Sequence, residues 1–352
     1  IGTDAASTAA LGNSVGIAIG TNGGANNNLI GGTAAGARNV ISGNSNIGIS
    51  LSTGFVASFA NTVQGNFIGP DVTGTVALSP NQTGIFFNKG DHNQIGGAAA
   101  GAGNLIFGNG RAASVKPGVL IGRDGIVGSN VIQGKINGTK DDGVSPLGNP
   151  YGGIEIGSSP DTVIGGLGAG EGNLIAFNGN PLDPVSGVMV DPGSSGNTIR
   201  GNSIHDNSGT HGLGIDLASD GVTANDPGDA DTGPNGLQNF PIVSVVTRLS
   251  PASGTRIQGV LHSTPSTTYD LDFYANPACS NFPREFLEGE TFLGSSPVTT
   301  DGTGPGTFDV TLPVTVEAGA RTSAPATDPD GAPSPSSHRL PFPIAPTSGP
   351  PA

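Results

Sequence analysis

The sequence predicts an all-β protein, a right-handed parallel β-helix (a solenoid) over residues 1–240 followed by a small antiparallel β-sandwich. Three observations predict it. Short phrases recur at regular spacing through the first two thirds of the chain. Apolar residues within those phrases alternate with period two and nowhere settle into a sustained 3.6-residue period. The 352 residues also include 61 Gly and 28 Pro but no Trp, with aromatics at 5%, too few bulky side chains for an ordinary globular core of this length. A hydrophobic share of 34% is still too high for a disordered chain. Such a chain folds when each short unit buries a few residues against its neighbour.

The first phrase is Asn-x-Ile/Val-x-Gly. Copies begin at Asn28, Asn39, Asn61, Asn93, Asn104, Asn130 and Asn197, with degenerate copies at Thr162 and Asn173. A second phrase, Gly-Ile/Val-x-apolar, alternates with it and begins at Gly16, Gly48, Gly84, Gly118, Gly153, Gly187 and Gly214. A third marks a longer loop: Ile1 to Asp4, Ile68 to Asp71 and Ile136 to Asp141. The Ile-Gly-Gly copies start at Asn28, Asn93 and Thr162, 65 and 69 residues apart. That spacing predicts blocks of three coils of roughly 22 residues each.

Strands this short do not survive as isolated hairpins, and most lack a two-residue turn between them. Stacking equivalent phrases coil upon coil solves the problem. The Ile side chains then form an internal column, backbone groups pair between coils, and Asn at one place in every coil forms an amide ladder. The Gly that follows supplies the positive-φ corner. On these phrases the chain resembles the right-handed parallel β-helix repeat proteins that bacteria secrete or display. The resemblance covers about residues 1–240 and implies a solenoid. It implies no single activity, because that architecture hosts lyases, hydrolases, epimerases, adhesins and passive stalks.

Composition changes at Asn239-Phe240-Pro241. The runs Ile242–Val246, Ile257–Leu261, Tyr269–Tyr274, Thr291–Gly294 and Phe308–Leu312 then alternate between Gly/Pro/Ser turns, which reads as an Ig-like β-sandwich over residues 241–331. The phrases Phe273 to Cys279, Gly289 to Gly294 and Ala326 to Gly331 resemble the sandwich appended to many of the same repeat proteins. In those proteins a second Cys commonly follows the Asp-Gly phrase, whereas here Ser334 to Arg339 stands in its place. Cys279 is the single cysteine, so no intrachain disulfide forms. Residues 332–352 form a Pro-rich tail, expected to be extended, held by its own sandwich or along a neighbour's sheet edge.

Charge narrows the partners. The 27 acidic residues against 13 basic give a net charge of −14, which argues against nucleic acid and against an anionic membrane surface. No apolar run reaches the length of a membrane span. No leader is visible and the chain begins at Ile1, read as a mature or trimmed product. The acidic, Lys-poor composition points to a secreted or cell-surface protein.

Catalytic chemistry on a β-helix needs clustered carboxylates with a base, or two or three facing carboxylates. The candidates are Arg123-Asp124, Lys140-Asp141-Asp142 and the set His205, Asp206, His211 and Asp216. None reproduces a motif of the known β-helix enzymes, and the alternative is that they are ordinary polar loop residues. Outward positions of the second phrase form a column, Ala18, Ser50, Phe86, Leu120, Glu155, Met189 and Asp216. In it Phe86, Leu120 and Met189 are either an apolar interface stripe or lie under the chain's own insertions. Asp226, Asp229 and Asp231 sit in one Asp/Gly-rich loop whose hard oxygen donors suit Ca²⁺, the bland alternative being a solvated turn. The lack of Trp and the three Tyr weigh against sugar stacking.

The leading expectation is therefore a non-catalytic structural or adhesive protein, self-associating head-to-tail if uncapped solenoid ends stack. The alternatives are a lyase, hydrolase or epimerase acting on an acidic polysaccharide, and a Ca²⁺-dependent glycan-binding module.

Overall fold

The computed structural model describes residues 1–20, 23–51, 56–78, 81–110, 116–122, 127–179, 185–207, 212–249, 254–277, 288–317 and 319–337. Among these the only helical elements are two short 3₁₀ turns, and no helix is long and apolar enough to cross a membrane.

The chain winds as a parallel β-solenoid with three faces. The first face is a seven-stranded sheet formed by Val15–Ile19, Ile47–Leu51, Thr83–Phe87, Val119–Ile121, Ile154–Ile156, Val188–Val190 and Ile215–Leu217. The second runs from Leu29–Gly31 to Thr198–Arg200, and the third from Val40–Ile41 to Ser203–His205, with six strands each. Every pairing within them is parallel, and the registers place equivalent residues over one another. On the second face Ile30, Val63, Ile95, Ile132, Ile164 and Ile199 form one such column. These columns merge into an aliphatic core from Ile30 to Leu217 in which, among the described residues, Phe87 is the one aromatic side chain. Strands of two to five residues bury too little to hold alone, so each face is stable only because the next coil covers it.

The registers correct the expected coil length. Asn28, Asn61, Asn93 and Asn130 stand over one another at separations of 33, 32 and 37 residues. A block of 65 to 69 residues therefore holds two coils and not three. The reason is that the Asn-x-Ile-x-Gly phrase serves two faces of the same coil: Asn28 leads into the second face and Asn39 into the third. Counting each phrase as a coil shortens the period.

Three ladders of buried asparagine run along the inside corners. In the first, the Asn61 side-chain oxygen accepts both the backbone N–H (3.0 Å) and the side-chain Nδ2 (2.8 Å) of Asn28. Asn93 and Asn130 repeat the arrangement. The second joins Asn39, Asn66 and Asn104, then resumes from Lys135 through Asn173 to Asn202. The third joins Asn44, Asn81, Asn109, Asn149, Asn178 and Asn207. Each carboxamide satisfies backbone groups that a corner leaves out of the sheets. The corner glycines are obligatory for a second reason besides backbone conformation. Gly65 has φ 67°, and a Cβ there would lie 2.3 Å from the Gly32 carbonyl oxygen of the adjacent coil.

Beyond the solenoid come two antiparallel sheets on a common core. One contains Ile242–Arg248, Thr255–His262 and Pro305–Leu312. The other contains Thr291–Thr299, Thr268–Asn276 and Arg321–Ser323, with Ala326–Thr327 also paired to Thr268–Asn276. The core they share includes Tyr269, Phe273 and Phe308.

This region caps the solenoid. Asn207 donates from both N–H and Nδ2 to Glu288 Oε1 at 3.1 and 3.2 Å, as it would to an asparagine in a further coil. Asn197 does the same to Asn235, and the backbone N–H groups of Gly201 and Asn202 reach the Tyr274 hydroxyl. Gly289 pairs antiparallel with Ile204. Arg200 locks the joint with Nε and Nη2 on Asp272 (2.9 and 2.7 Å) and Nη1 on Asp270 (2.6 Å). All three ladders thus end on groups of the same chain. The C-terminal end of the coil stack is therefore covered by the chain's own groups.

Candidate functional site

The most chemically distinctive place is the loop that leads from the last solenoid strand, Ile215–Leu217, to the first antiparallel strand, Ile242–Arg248. It carries Asp226, Asp229 and Asp231, each half-buried, with one carboxylate oxygen apiece within 4.8 Å of the others. Two asparagines set the loop's shape. Asn225 exchanges two hydrogen bonds with the backbone of Phe240. Asn239 accepts from the Asp226 N–H through its side chain, donates its own N–H to Asp229 Oδ1, and donates Nδ2 to the carbonyls of Asp226 and His262. Ser263 donates its hydroxyl to Asp229 Oδ2.

These contacts fix the loop's backbone and the Asp229 carboxylate. Burial pushes the Asp229 carboxyl above its ordinary range; the bonds from Ser263 and Asn239 oppose that, and the charges of Asp231 and Asp226 reinforce it. Burial, then the charge of Asp226, raises Asp231 in the same direction. Oδ1 of Asp226 and Oδ1 of Asp231 are out of solvent and accept no hydrogen bond. Beside them lies an open cleft of about 400 Å³ whose lining includes Asp226, Pro227, Ile242, His262, Thr303 and Pro305.

Of the catalytic candidates, His205 and Asp216 among the described residues sit on different faces, His205 on the third and Asp216 on the first. His205 Nδ1 sits 2.9 Å from Asp206 Oδ2, and its ring meets Phe177 edge-on at 5.7 Å. Burial disfavours its imidazolium, but Asp206, Glu290 and Glu288 outweigh burial and raise its pKa. Asp216 accepts from the Ser186 hydroxyl (3.2 Å) and the Gly221 N–H (3.3 Å), and burial pushes it up to about 6. His211 and Arg123-Asp124 lie outside the described residues, as do Cys279 and residues 338–352.

The outward column on the first face exists in register, from Ala18 through Ser50, Phe86, Leu120, Glu155 and Met189 to Asp216. It is not an exposed stripe: Leu120 and Met189 keep only 2% and 8% of their exposure, so of the three apolar candidates only Phe86 remains partly open. The chain itself covers the other two.

The loop phrases prove to be a stack. Thr3 bridges Ala10, Pro70 bridges Ala77 and Thr139 bridges Pro146, and the loops touch through Val72 N–H to Ser7 O and Asp141 N–H to Gly74 O. Their aspartates are turn caps. Asp4 accepts the N–H groups of Thr8 and Ala9, and Asp71 those of Thr75 and Val76. Asp142 accepts from Ser145 and Val144, bonds that hold its carboxyl down at about 2.

Two groups had no signal in the phrases. The third ladder takes the Asn that follows a corner residue, which is Gly at Asn44, Asn109 and Asn149 but Phe177 at Asn178 and Asp206 at Asn207, so no single dipeptide marks it. Lys135 replaces an asparagine in the second ladder. It is fully buried with Nζ bonded to nothing, and burial lowers its pKa to about 7.

The fold places the chain among parallel β-solenoids closed by an antiparallel cap. No protein-family model matches it, and no curated protein does. Among solved structures it is similar to full-length tailspike protein 2 (TSP2, ORF211) from Escherichia coli O157:H7 bacteriophage CAB120. The identity is 12% and the TM-score 0.28, over 88% of this chain and 49% of that one, so the chain spans about half of that protein's length.

Proposed function

We propose that this chain is a non-catalytic structural or adhesive protein working at the cell surface or after secretion. The observation that carries the reading is the set of three asparagine ladders inside the solenoid. They make successive coils hydrogen-bond through side chains as well as backbone, which yields a stiff elongated body and calls for no reactive group. The low content of Lys and Arg, 13 residues of 352, supports a place outside the cytoplasm. Polysaccharide is the partner class this reading carries, since the net charge of −14 disfavours nucleic acid and anionic membrane surfaces.

A second reading, cleavage or epimerisation of an acidic polysaccharide, draws on one observation, the Asp216 carboxyl raised by burial to about 6, since raised carboxyls serve as general acids. The test is to incubate the chain with a panel of acidic polysaccharides and follow reducing ends and unsaturated products, alongside a binding assay on the same polymers. Retention without product, unchanged in Asp216→Asn, is expected. Product formation that disappears in that variant would overturn the proposal.

A further inference from the structure

We propose that His205 makes the seam between the solenoid's third face and the antiparallel cap a proton-sensitive contact, firm while the imidazole is protonated and looser once it is neutral. This inference does not depend on the functional reading above.

The seam is built on one short strand. Ile204 and Gly289 exchange two backbone hydrogen bonds, 2.7 Å from the Ile204 N–H and 2.8 Å from the Gly289 N–H. This antiparallel bridge seats the segment that leads into Thr291–Thr299 against Ser203–His205. It brings two carboxylates with it, because Glu288 and Glu290 flank Gly289. Glu288 Oε1 takes both donors of Asn207. A third carboxylate belongs to the solenoid: Asp206 Oδ2 lies 2.9 Å from His205 Nδ1. The charged groups that act on the ring are thus Asp206 from its own corner and Glu290 and Glu288 from the cap. The preceding coil contributes the uncharged ring of Phe177 at 5.7 Å. Of the arginines on the adjoining elements, Arg200 is committed to Asp272 and Asp270. Arg321, opposite Asn276 in the cap, enters none of the described ion pairs.

Three carboxylates therefore gather around one imidazole whose side chain is only 16% exposed. With the ring protonated they face a cation at short range, where water screens little. With the ring neutral they face one another. The neutral ring can still donate Nδ1–H to Asp206, so what disappears is the charge that offsets Glu288 and Glu290 on the cap side. Histidine is the side chain that makes this change near neutral pH. The sign follows from linkage. Burial works against the imidazolium, but the three carboxylates outweigh it, so the ring holds its proton more tightly with the seam formed. The contribution is complete below the ordinary histidine value of about 6.5 and is lost as pH rises through the raised value. Buried Lys135, with its pKa lowered to about 7, drives the stability of the whole chain the opposite way above pH 7, which separates the seam from the rest of the fold by sign.

The experiment uses the full chain. NMR follows the His205 ring from pH 5 to pH 9, its signal assigned by its absence in His205→Gln. Hydrogen exchange is read at Ile204 and Gly289, whose N–H groups form the bridge, at pH 6 and pH 8 after correction for the intrinsic rate. Val163, whose N–H is bonded to the Asn130 carbonyl in mid-solenoid, reports opening of the whole fold. His205 is expected to titrate above the ordinary value of about 6.5, and Glu290→Gln to lower its midpoint. Protection of Ile204 and Gly289, relative to Val163, is expected to fall between pH 6 and pH 8 in the unsubstituted chain and to sit at the lower level at both pH values in His205→Gln. Titration at or below the ordinary value would overturn the proposal whether or not any variant folds. Seam protection that does not change relative to Val163 would overturn it too, as would a fall of equal size in folded His205→Gln.

Discussion

In the solenoid, asparagine is the commonest buried polar side chain, and most of these asparagines stand in columns. Asn149, for example, accepts from Asn109 and donates to Asn178, the same bonds its neighbours make one coil away. In the antiparallel cap each buried polar group has its own arrangement: Asp272 with Arg200 and Ser295, Tyr269 with Ser263, Asn276 with Ser323. The cores differ in parallel, aliphatic along the coils and aromatic-rich in the cap. A stacked column distributes its cost, since each coil needs only its two neighbours. A cap has no neighbour beyond it, and depends on single contacts that nothing repeats. Substitutions in the two regions are therefore expected to differ in size and in pH dependence.

The largest effect is expected at the joint. Arg200→Ala leaves the carboxylate of Asp272, whose side chain is 1% exposed, without its main cationic partner, a change that costs about 3–5 kcal/mol when a buried pair is broken. Calorimetry should show a lower Tm and a split transition as the cap uncouples. Adding Asp272→Ala should recover part of the loss, and no recovery would mean the contact is not an isolated lock.

Next comes the break in the second ladder at Lys135. Lys135→Asn restores the missing carboxamide between Asn104 and Asn173 and is expected to stabilise the chain by roughly 2–4 kcal/mol at neutral pH. The sign follows from the buried amine. Its pKa falls to about 7 against about 10.4 unfolded, so the unfolded chain holds the extra proton between those values. Stability of the unsubstituted chain should rise with pH from about 7 towards 10, and the penalty should be complete below 7. Urea unfolding at pH 6, 8 and 9.5 should show this slope, and Lys135→Asn should flatten it.

Asp216→Asn tests the end of the first face. The folded pKa of about 6 exceeds the unfolded value of about 3.9, so ionisation works against the fold. Stability should fall as pH rises from about 4 to 6, and the variant should gain roughly 1–3 kcal/mol at pH 7. The smallest effect is expected on the cap's outer surface. Arg256 makes a two-point contact with Asp309 across strands, both side chains nearly half exposed, and Asp309→Asn should leave Tm almost unchanged, the more so at high salt.

Repetition is also why the two regions differ in how much the sequence reveals. Ile30, Val63, Ile95 and their successors recur in equivalent phrases, so their column was legible without coordinates, as was the amide ladder begun by Asn28. The coil length was misjudged because one phrase serves two faces, a fact visible only in the registers. The outward column was placed correctly in sequence order, but its burial at Leu120 and Met189 depends on cover from elsewhere in the chain, which periodicity does not encode. The cap gave only alternation: nothing at Glu288 or Tyr274 marks them as ladder ends, because each is used once. The three aspartates were legible as a cluster. Their unpartnered oxygens were not, since that depends on which donors Asn239 and Ser263 commit elsewhere.

The claim on which the rest stands is that the asparagine columns, and not the aliphatic stack alone, hold one coil on the next. Equilibrium unfolding of Asn149→Leu, a swap of similar size that keeps the position apolar and buried, tests it most directly. Stranding the N–H and Nδ2 of Asn109, and taking from Asn178 Oδ1 its Nδ2 donor while the backbone N–H donor remains, should cost about 2–4 kcal/mol. A variant as stable as the unsubstituted chain, or more so, would contradict it.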